Sequence, residues 1–564
     1  MIGSSSEDEI KLVAQMGDDE WLVRRYALEE NMLEDSIELT PDAAQTFKTD
    51  QAMTRGLIDP TGRWIYVAAT NGRVEAWQWT DDALERVQAL YAVDKGAQLT
   101  EMKFLLGGIS LLVGDSKGHI TQWFRVRDEH NEFHLEIVRQ FQLGDKAIRH
   151  IVSEPRRKGF VATNSAGEFG IFHTTSERRL LQESFGSEFA QLELNARATR
   201  LFAVDVQGKT QRFSIENEHP DISWGALWHK VWYESYPDAS YTWQSSAGTD
   251  DFESKMSLVP LAFGTMKAAF YAMLVALPIG IFGAMYTAFF MSAAMRGMVK
   301  PMVEIMAALP SVILGFLAGL WLAPAVEENL PGTIALFVLM PLAIIAFGWV
   351  WQRAPRAVRH RVPEGWHAAL LLPVVLGVAW LSFALSPGLE QTLFGGDAPR
   401  FLSETLHINY EQRNSFIVGI AMGFAVIPSI FSIAEDAVFG VPKSLVNGSL
   451  ALGASPWQTM VRVVLPTASP GIFSAVMIGL GRAVGETMIV LMATGNTPIM
   501  QANIFEGLRS LSANIAVEMP EAEVGSSHYR ILFVSALVLF AFTLVFNTIA
   551  EIVRTRLRRK YGSL

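Results

Sequence analysis

In the run Gly479-Leu480-Gly481-Arg482-Ala483-Val484-Gly485-Glu486-Thr487-Met488, an arginine and a glutamate stand four residues apart in otherwise apolar surroundings. An ionisable side chain at the centre of a membrane helix costs roughly 2.5 to 3.5 kcal/mol on insertion scales, so such groups mark function by default. On an unbroken helix the spacing puts Arg482 and Glu486 on one face, where they partly neutralise each other. A guanidinium presents a planar fork of donors that matches tetrahedral oxyanions. Arg482 is therefore expected to replace part of an anion's hydration shell, with Glu486 holding it in orientation and Thr487 next along the pathway. Gly479, Gly481 and Gly485 remove bulk, so that another helix or an anion can approach the backbone. The alternative is a structural ion pair that locks two helices together.

The element that must position these residues is one of seven long apolar runs, near residues 261–291, 303–323, 333–351, 367–385, 416–433, 471–493 and 531–550. Each is close to the ~20 residues needed to cross a hydrocarbon core. Lys and Arg collect in alternate loops: Arg296 and Lys300; Arg353, Arg356, Arg359 and Arg361; Lys443 and Arg462; and Arg554 through Lys560. Glu327, Glu328, Glu506, Glu518, Glu521 and Glu523 mark the other side. Cationic loops stay in the cytoplasm, which predicts a cytoplasmic C-terminus and, across seven spans, an N-terminal region outside it. Residues 1–30 hold no apolar stretch that could export that region, and Asp8, Glu9, Asp18, Asp19 and Glu20 stand where a basic leader would be. An exporting segment upstream of this chain is the expected resolution.

The 564 residues leave room for several folded units. Residues 257–564 carry 19 Lys/Arg and 16 Asp/Glu, whereas residues 1–256 carry 27 and 41, so the two halves are built for different solvents. The acidic balance argues against nucleic acid as a partner. The absence of cysteine excludes disulfides, thiolate metal sites and cysteine nucleophiles.

Residues 50–217 show a weak repeat of strand, polar turn closing on glycine, and second strand closing on an aromatic residue. Its copies are 64–79, 109–123, 159–172 and 201–213. The turn glycines Gly72, Gly118, Gly167 and Gly208 are spaced 46, 49 and 41 apart, near the ~40 to 45 residues of propeller blades. An all-β, WD-repeat-like propeller or a piece of one is expected, with a β-sandwich as the alternative. Gly208-Lys209-Thr210 lacks the first glycine of a phosphate loop and reads as a hairpin turn. No catalytic or metal-binding constellation is seen. The aromatic stretch Trp224, Trp228, Trp232, Tyr233, Tyr236, Tyr241 and Trp243 is expected either at the membrane boundary or against the blades.

Between the fifth and sixth runs, Asn447-Gly448-Ser449-Leu450-Ala451-Leu452-Gly453 is followed after nine residues by Val463-Val464-Leu465-Pro466. This resembles the EAA loop of binding-protein-dependent ABC importers, with Asn447 where the leading glutamate is usual. Pro260 to Thr265, Pro278 to Tyr286, Pro310-Ser311-Val312, Ile427-Pro428, the Gly479 to Met488 run, and the stretch from Gly495 to Tyr529 together resemble the PstC-type permease of Pst phosphate importers. Sulfate and molybdate permeases look similar at Arg-Ala-x-Gly-Glu.

The resemblance implies a type I importer permease fold preceded by the β domain. The domains expected are an N-terminal segment 1–49, the propeller-like unit 50–217, an aromatic linker 218–256 and the membrane domain 257–564. The third and fourth runs form an inserted pair. It further implies a phosphate permease of the inner membrane, with the N-terminal domain in the periplasm. Its partners would be a PstA-like subunit, an external phosphate-binding protein and cytoplasmic ATPase subunits that hold the ATP and magnesium. The chain itself would be no enzyme and carry no cofactor. Within the cytoplasmic loop 436–470, coupling to the ATPase would fall on Asn447, Ser449, Ala451, Gly453, Leu465 and Pro466. A permease for another oxyanion such as sulfate or molybdate, a degenerate permease serving as phosphate sensor or scaffold, and an ion-coupled carrier or channel are the rival readings.

Overall fold

The structure, a computed structural model, describes residues 2–6, 9–31, 36–80, 83–128, 130–249, 251–355 and 370–561. Arg356, Arg359, Arg361 and His367, used above to place loops and spans, lie outside the described residues, as does Asp8. The chain divides into two compact units, Met1–Ser257 and Leu258–Leu564.

The first unit is built of consecutive antiparallel sheets. Strands β6 (Arg55–Ile58), β7 (Trp64–Ala68), β8 (Arg73–Trp79) and β9 (Leu84–Tyr91) pair in sequence order. So do β10 (Leu99–Phe104), β11 (Ser110–Asp115), β12 (His119–Arg127) and β13 (Phe133–Gln142), then β14 (Ile148–Ser153), β15 (Gly159–Asn164), β16 (Glu168–His173) and β17 (Arg178–Ser184). A three-stranded sheet follows, β18 (Phe189–Leu194), β19 (Arg200–Asp205) and β20 (Thr210–Ser214). Four-stranded meanders repeated along the chain are propeller blades.

The repeat seen in the sequence is the middle hairpin of each four-stranded blade and the last hairpin of the three-stranded sheet, and its chemistry is local. Asp115 Oδ1 accepts from the Lys117 and His119 amides, Asn164 Oδ1 from Ala166 and Glu168, and Asp205 Oδ1 from Gln207 and Lys209. These Asx turns close on glycines at positive φ, +88° at Gly118, +78° at Gly167 and +82° at Gly208, which residues with a Cβ resist.

Two findings add to the sequence reading. Residues 2–48, set aside as an N-terminal segment, form a sheet of their own in which β1 (Ile2–Ser5), β2 (Glu9–Gln15), β3 (Glu20–Asn31) and β4 (Ser36–Pro41) pair in order and β5 (Gln45–Lys48) also pairs β3. Val13, Trp21, Val23 and Phe47 from this sheet join Ile65, Val67 and Trp77 in one core. The second concerns the aromatic segment, which takes the second of its two expected places and folds onto the blades. Tyr233 and Trp243 are buried, and the Trp232 carbonyl accepts from Arg139 Nη2 at 2.6 Å. Only Trp224 of that group is strongly exposed, at one end of the short helix α1 (Trp224–Trp228).

Charge holds the segment in place. Glu234 accepts from Lys158 Nζ at 2.6 Å and from Ser110 Oγ, and Glu253 accepts from Thr175 Oγ1 at 2.5 Å and from the Glu234 amide at 2.9 Å. Burial pushes the Glu234 carboxyl up and the Lys255 ammonium down from their ordinary values, while the Lys158 charge pulls Glu234 back.

The second unit is helical, and among the described residues seven segments are long and apolar enough to cross a membrane: Val259–Phe290, Ser311–Glu328, Leu330–Arg353, Leu371–Glu404, Ser415–Phe439, Pro456–Val484 and Ser527–Leu557. Helix α2 (Val259–Met285) runs on through a π-helical turn to Phe290. Helix α3 (Ala293–Ala307) is separate, so the second span begins at Ser311 rather than near Val303. Pro310 sets this boundary because it fixes its own φ and disfavours helix in the residue before it. That span comprises α4 (Ser311–Leu317), a π-helical turn and α5 (Ala323–Glu328).

Helices α6 (Leu330–Arg353) and α7 (Leu371–Leu393) pack on each other, and the Gly332 amide bonds Ser386 Oγ at 3.1 Å. They are scarcely buried by the rest of the unit, as an inserted hairpin would be. After the short helix α8 (Ala398–Glu404), α9 (Ser415–Phe439) is the most buried span and packs against α2.

Candidate functional site: a broken helix and the loop that feeds it

Helix α9 ends at Phe439, and the chain turns through Pro442 into α10 (Lys443–Ala451), a left-handed turn at Gly453 (φ +87°), and α11 (Pro456–Thr459). A further π-helical turn, Met460–Val464, leads into α12 (Leu465–Val484). Ser455 and Gln458 form a reciprocal capping box at the start of α11. This is the short helix, glycine turn and second helix expected of the loop.

Its predicted residues divide into two groups. Asn447, Ala451 and Gly453 face solvent, whereas Ser449 Oγ lies 3.0 Å from the buried Thr459 Oγ1 and ties the two short helices together. Leu465 and Pro466 are half-buried at the root of α12. Leu450, Leu452 and Trp457 are exposed at the loop's tip, with Leu452 91% accessible.

Helix α12 returns against α9, closely enough that a Cβ at Gly479 would lie 2.5 Å from Ile430 Cγ1 and one at Gly471 2.4 Å from Ala437 Cβ. The glycine signal thus marks helix approach at 479. Gly481 and Gly485 have no such neighbour.

The pairing of Arg482 with Glu486 is not found. Helix α12 stops at Val484, and residues 485–487 break it before α13 (Met488–Ala493). Arg482 instead donates from Nη1 to Ser429 Oγ of α9 at 2.7 Å. Glu486 turns to the backbone beyond the break, accepting from the Thr487 amide at 3.2 Å and from Ile489 at 3.5 Å. Its carbonyl accepts from Ser512 Oγ at 2.9 Å, next to helix α14 (Leu511–Glu518). Thr487 is half-buried in the break itself. Among the described residues no carboxylate lies within ion-pair distance of Arg482. Its charge is met by a neutral hydroxyl, and the side chain is half-buried.

Three features escaped the sequence reading. Ser429, 53 residues from Arg482, is visible only as one hydroxyl in an apolar run. Lys267 is a buried cation in the first span that donates to the Glu506 and Gly507 carbonyls, both at 3.4 Å. A lone lysine inside a span is itself the signal. Glu435, at the end of α9 and fully buried, takes Arg296 Nε at 2.5 Å and Lys300 Nζ at 2.9 Å, and Lys300 also reaches Asp436 at 2.5 Å. Arg296 and Lys300 had served only as markers of a basic loop. Beyond the break, Glu518 bonds Arg509 Nη2 at 2.8 Å and His528 Nε2 at 2.7 Å, which ties the segment after α13 to helix α15 (Ser527–Tyr561).

Residues 365–562 match the family described as "Binding-protein-dependent transport system inner membrane component". The chain is 29% identical over 255 residues to the phosphate transport system permease protein PstC of Mesorhizobium japonicum, covering 43% of this chain and 75% of that one. It is 27% identical over 245 residues to PstC of Pasteurella multocida, covering 42% and 76%. With the "Probable ABC transporter permease protein YqgH" of Bacillus subtilis the identity is 25% over 306 residues, covering 54% and 74%.

Among solved structures, Sqt1 from Chaetomium thermophilum is similar at a TM-score of 0.28 and 16% identity, over 37% of this chain and just over half (53%) of that one. The Swd1 β-propeller domain is similar at 0.28 and 15%, over 37% and 67%. At that likeness the blade assignment rests on the strand order. With a β-bladed unit before it in the chain, the stretch 365–562 carries the permease domain of binding-protein-dependent transport systems, a transport subunit of the membrane.

Proposed function

We propose that the chain is the permease subunit of an ATP-driven importer whose cargo is inorganic phosphate, with Arg482 as the anion-sensing group. The observation that carries this reading is a guanidinium, half-buried beside a helix break and met, among the described residues, by a hydroxyl and no carboxylate. Discontinuous helices are where membrane transporters place substrate groups, because backbone freed from a helix is tolerated only where protein or a cavity receives it. Arg482 has most of its donor fork left for an oxyanion. Glu486 and Thr487 shape the break, and Glu486 holds the backbone beyond it rather than the arginine.

Residues 443–464 supply the drive. They join the two helices that hold the pair, because α9 ends just before the loop and α12 begins just after it. A partner ATPase that moves the loop therefore shifts Ser429 against Arg482. The exposed Leu450, Leu452 and Trp457 are the contact it would grip. On this reading the loop is cytoplasmic, the β unit is periplasmic, and an external binding protein and a second permease subunit complete the path.

The test is uptake by the reconstituted complex, with phosphate, sulfate and molybdate in competition. Arg482→Ala should abolish phosphate uptake while the complex still assembles. Undiminished uptake would refute the site, and equal transport of sulfate would refute the cargo.

A further inference from the structure

Helix α3 (Ala293–Ala307) packs on the protein through Met295, with charge on one flank and apolar side chains on the other. Arg296, Lys300 and Glu304 share one face and reach α9: Arg296 and Lys300 pair with Glu435 and Asp436, and the exposed Glu304 accepts from Ser432 Oγ at 3.2 Å. The opposite face carries Met298, Met302 and Ile305 at helical spacing, and they are 58%, 62% and 67% exposed. A helix at a water-facing surface keeps its large apolar side chains against the protein. Three of them exposed at helical spacing point to an apolar surrounding for this face.

The position of the helix says what does. One end of α3 follows the first span within three residues of Phe290, and the other leads through Pro310 into the second span at Ser311. Both ends are thus fixed at span termini on one side of the membrane. The partners on α9 lie in its last turns, immediately before the chain leaves the span for α10. At about 1.5 Å per residue the helix is about 22 Å long, enough to run along the boundary. Past the interruption at residues 308–310, Val312, Ile313 and Phe316 are likewise exposed on the second span itself, as is Leu309 between the two helices.

We infer that α3 is an interfacial helix whose Met298–Met302–Ile305 stripe enters the acyl chains of the leaflet from which residues 443–464 emerge. The buried ion cluster at Glu435 anchors it from within. Amphipathic helices of this kind bury their apolar face at the headgroup and acyl boundary. Here Arg296 and Lys300 of the polar face are paired with the protein's own carboxylates. The helix would then link the surrounding lipid to the end of α9, the helix that carries Ser429. This holds whatever the cargo is, so its failure is distinguishable from that of the transport reading.

The absence of cysteine makes the test direct, because one introduced thiol takes one nitroxide label. Met302→Cys and Ile305→Cys should be labelled separately in the whole importer complex and reconstituted into vesicles of phosphatidylethanolamine and phosphatidylglycerol. Collisions of each label with oxygen, which concentrates in lipid, are then compared with collisions with a water-soluble nickel chelate. The expected result is several-fold more collision with oxygen at both positions. Dominant nickel collision would place the stripe in water, and low collision with both would mean that a protein subunit covers it. Either result overturns the proposal. If Met302→Cys fails to assemble, Ile305→Cys and Met298→Cys read the same face.

Discussion

Replacing Ser429 by alanine isolates orientation from charge at Arg482. The hydroxyl accepts from Nη1 at 2.7 Å, and it is the hydrogen bond recorded for the guanidinium among the described residues. Bonds to a charged group contribute about 1.5 to 3 kcal/mol, and the half-buried position places this one nearer the lower end. At about 1.4 kcal/mol per tenfold, loss of the acceptor lowers the share of correctly aimed guanidinium by about ten- to thirtyfold. The positive charge remains, so the variant should still bind anion. It should lose turnover, in contrast to Arg482→Ala, which loses both. The assay is initial uptake of labelled phosphate by reconstituted complex across a concentration series, with assembly checked by co-purification of the partner subunits. A Ser429→Ala complex with wild-type uptake at every concentration would show that the hydroxyl does not aim the arginine, and the pathway assignment would lose its structural basis.

Three further outcomes follow from the structure. Leu452→Asp should collapse uptake and uncouple ATP hydrolysis while the chain's own melting point stays constant, since this side chain is 91% accessible; unchanged uptake would remove the loop tip from the ATPase contact. Gly208→Ala should lower stability by about 1 to 2 kcal/mol through its φ of +82° alone. Gly167→Ala should lower it further, because its Cβ would also meet the Ser187 carbonyl oxygen at 2.5 Å; equal denaturant midpoints would contradict the blade geometry. His173 in β16 is buried, and burial, reinforced by Arg157, Arg139 and Arg178, holds its imidazole down at about 3. The unfolded chain, with an ordinary value near 6.5, takes up the proton first as pH falls. The stability tied to a neutral His173 is therefore complete above about pH 6.5 and drains away toward about pH 3, at roughly 1.4 kcal/mol per unit. His173→Gln should flatten the pH dependence of melting by that slope, and identical slopes would refute it.

The parts that could be read from the sequence are those whose signal is local. Hydropathy is a one-dimensional property, and it located seven spans in the right order. The inner hairpins of the blades could be read because Asp115, Asn164 and Asp205 each close a turn on their own backbone, ahead of a glycine. The sheet β1–β5 was missed because its acidic residues mask the alternation of Val13, Trp21, Val23 and Phe47. The separate helix α3 was merged into the second span because Val303 and Met306 are apolar and only Pro310 signals the boundary. The Arg482–Glu486 pair failed for a similar reason: four-residue spacing implies contact only on an unbroken helix, and this one ends at Val484. The true partner lies on another helix, and no local pattern encodes which of several serines will meet an arginine 53 residues away.

A guanidinium held by a neutral hydroxyl also has an electrical meaning. Carrying one negative charge into a cell whose interior is negative takes about 2.3 kcal/mol for every 100 mV, and phosphate near neutrality carries more than one. A resident cation part-way through lowers the electrostatic summit the solute must cross without altering the difference between the two sides. On the function proposed above, direction and accumulation come from nucleotide hydrolysis, and Arg482 sets how fast the voltage-opposed step runs.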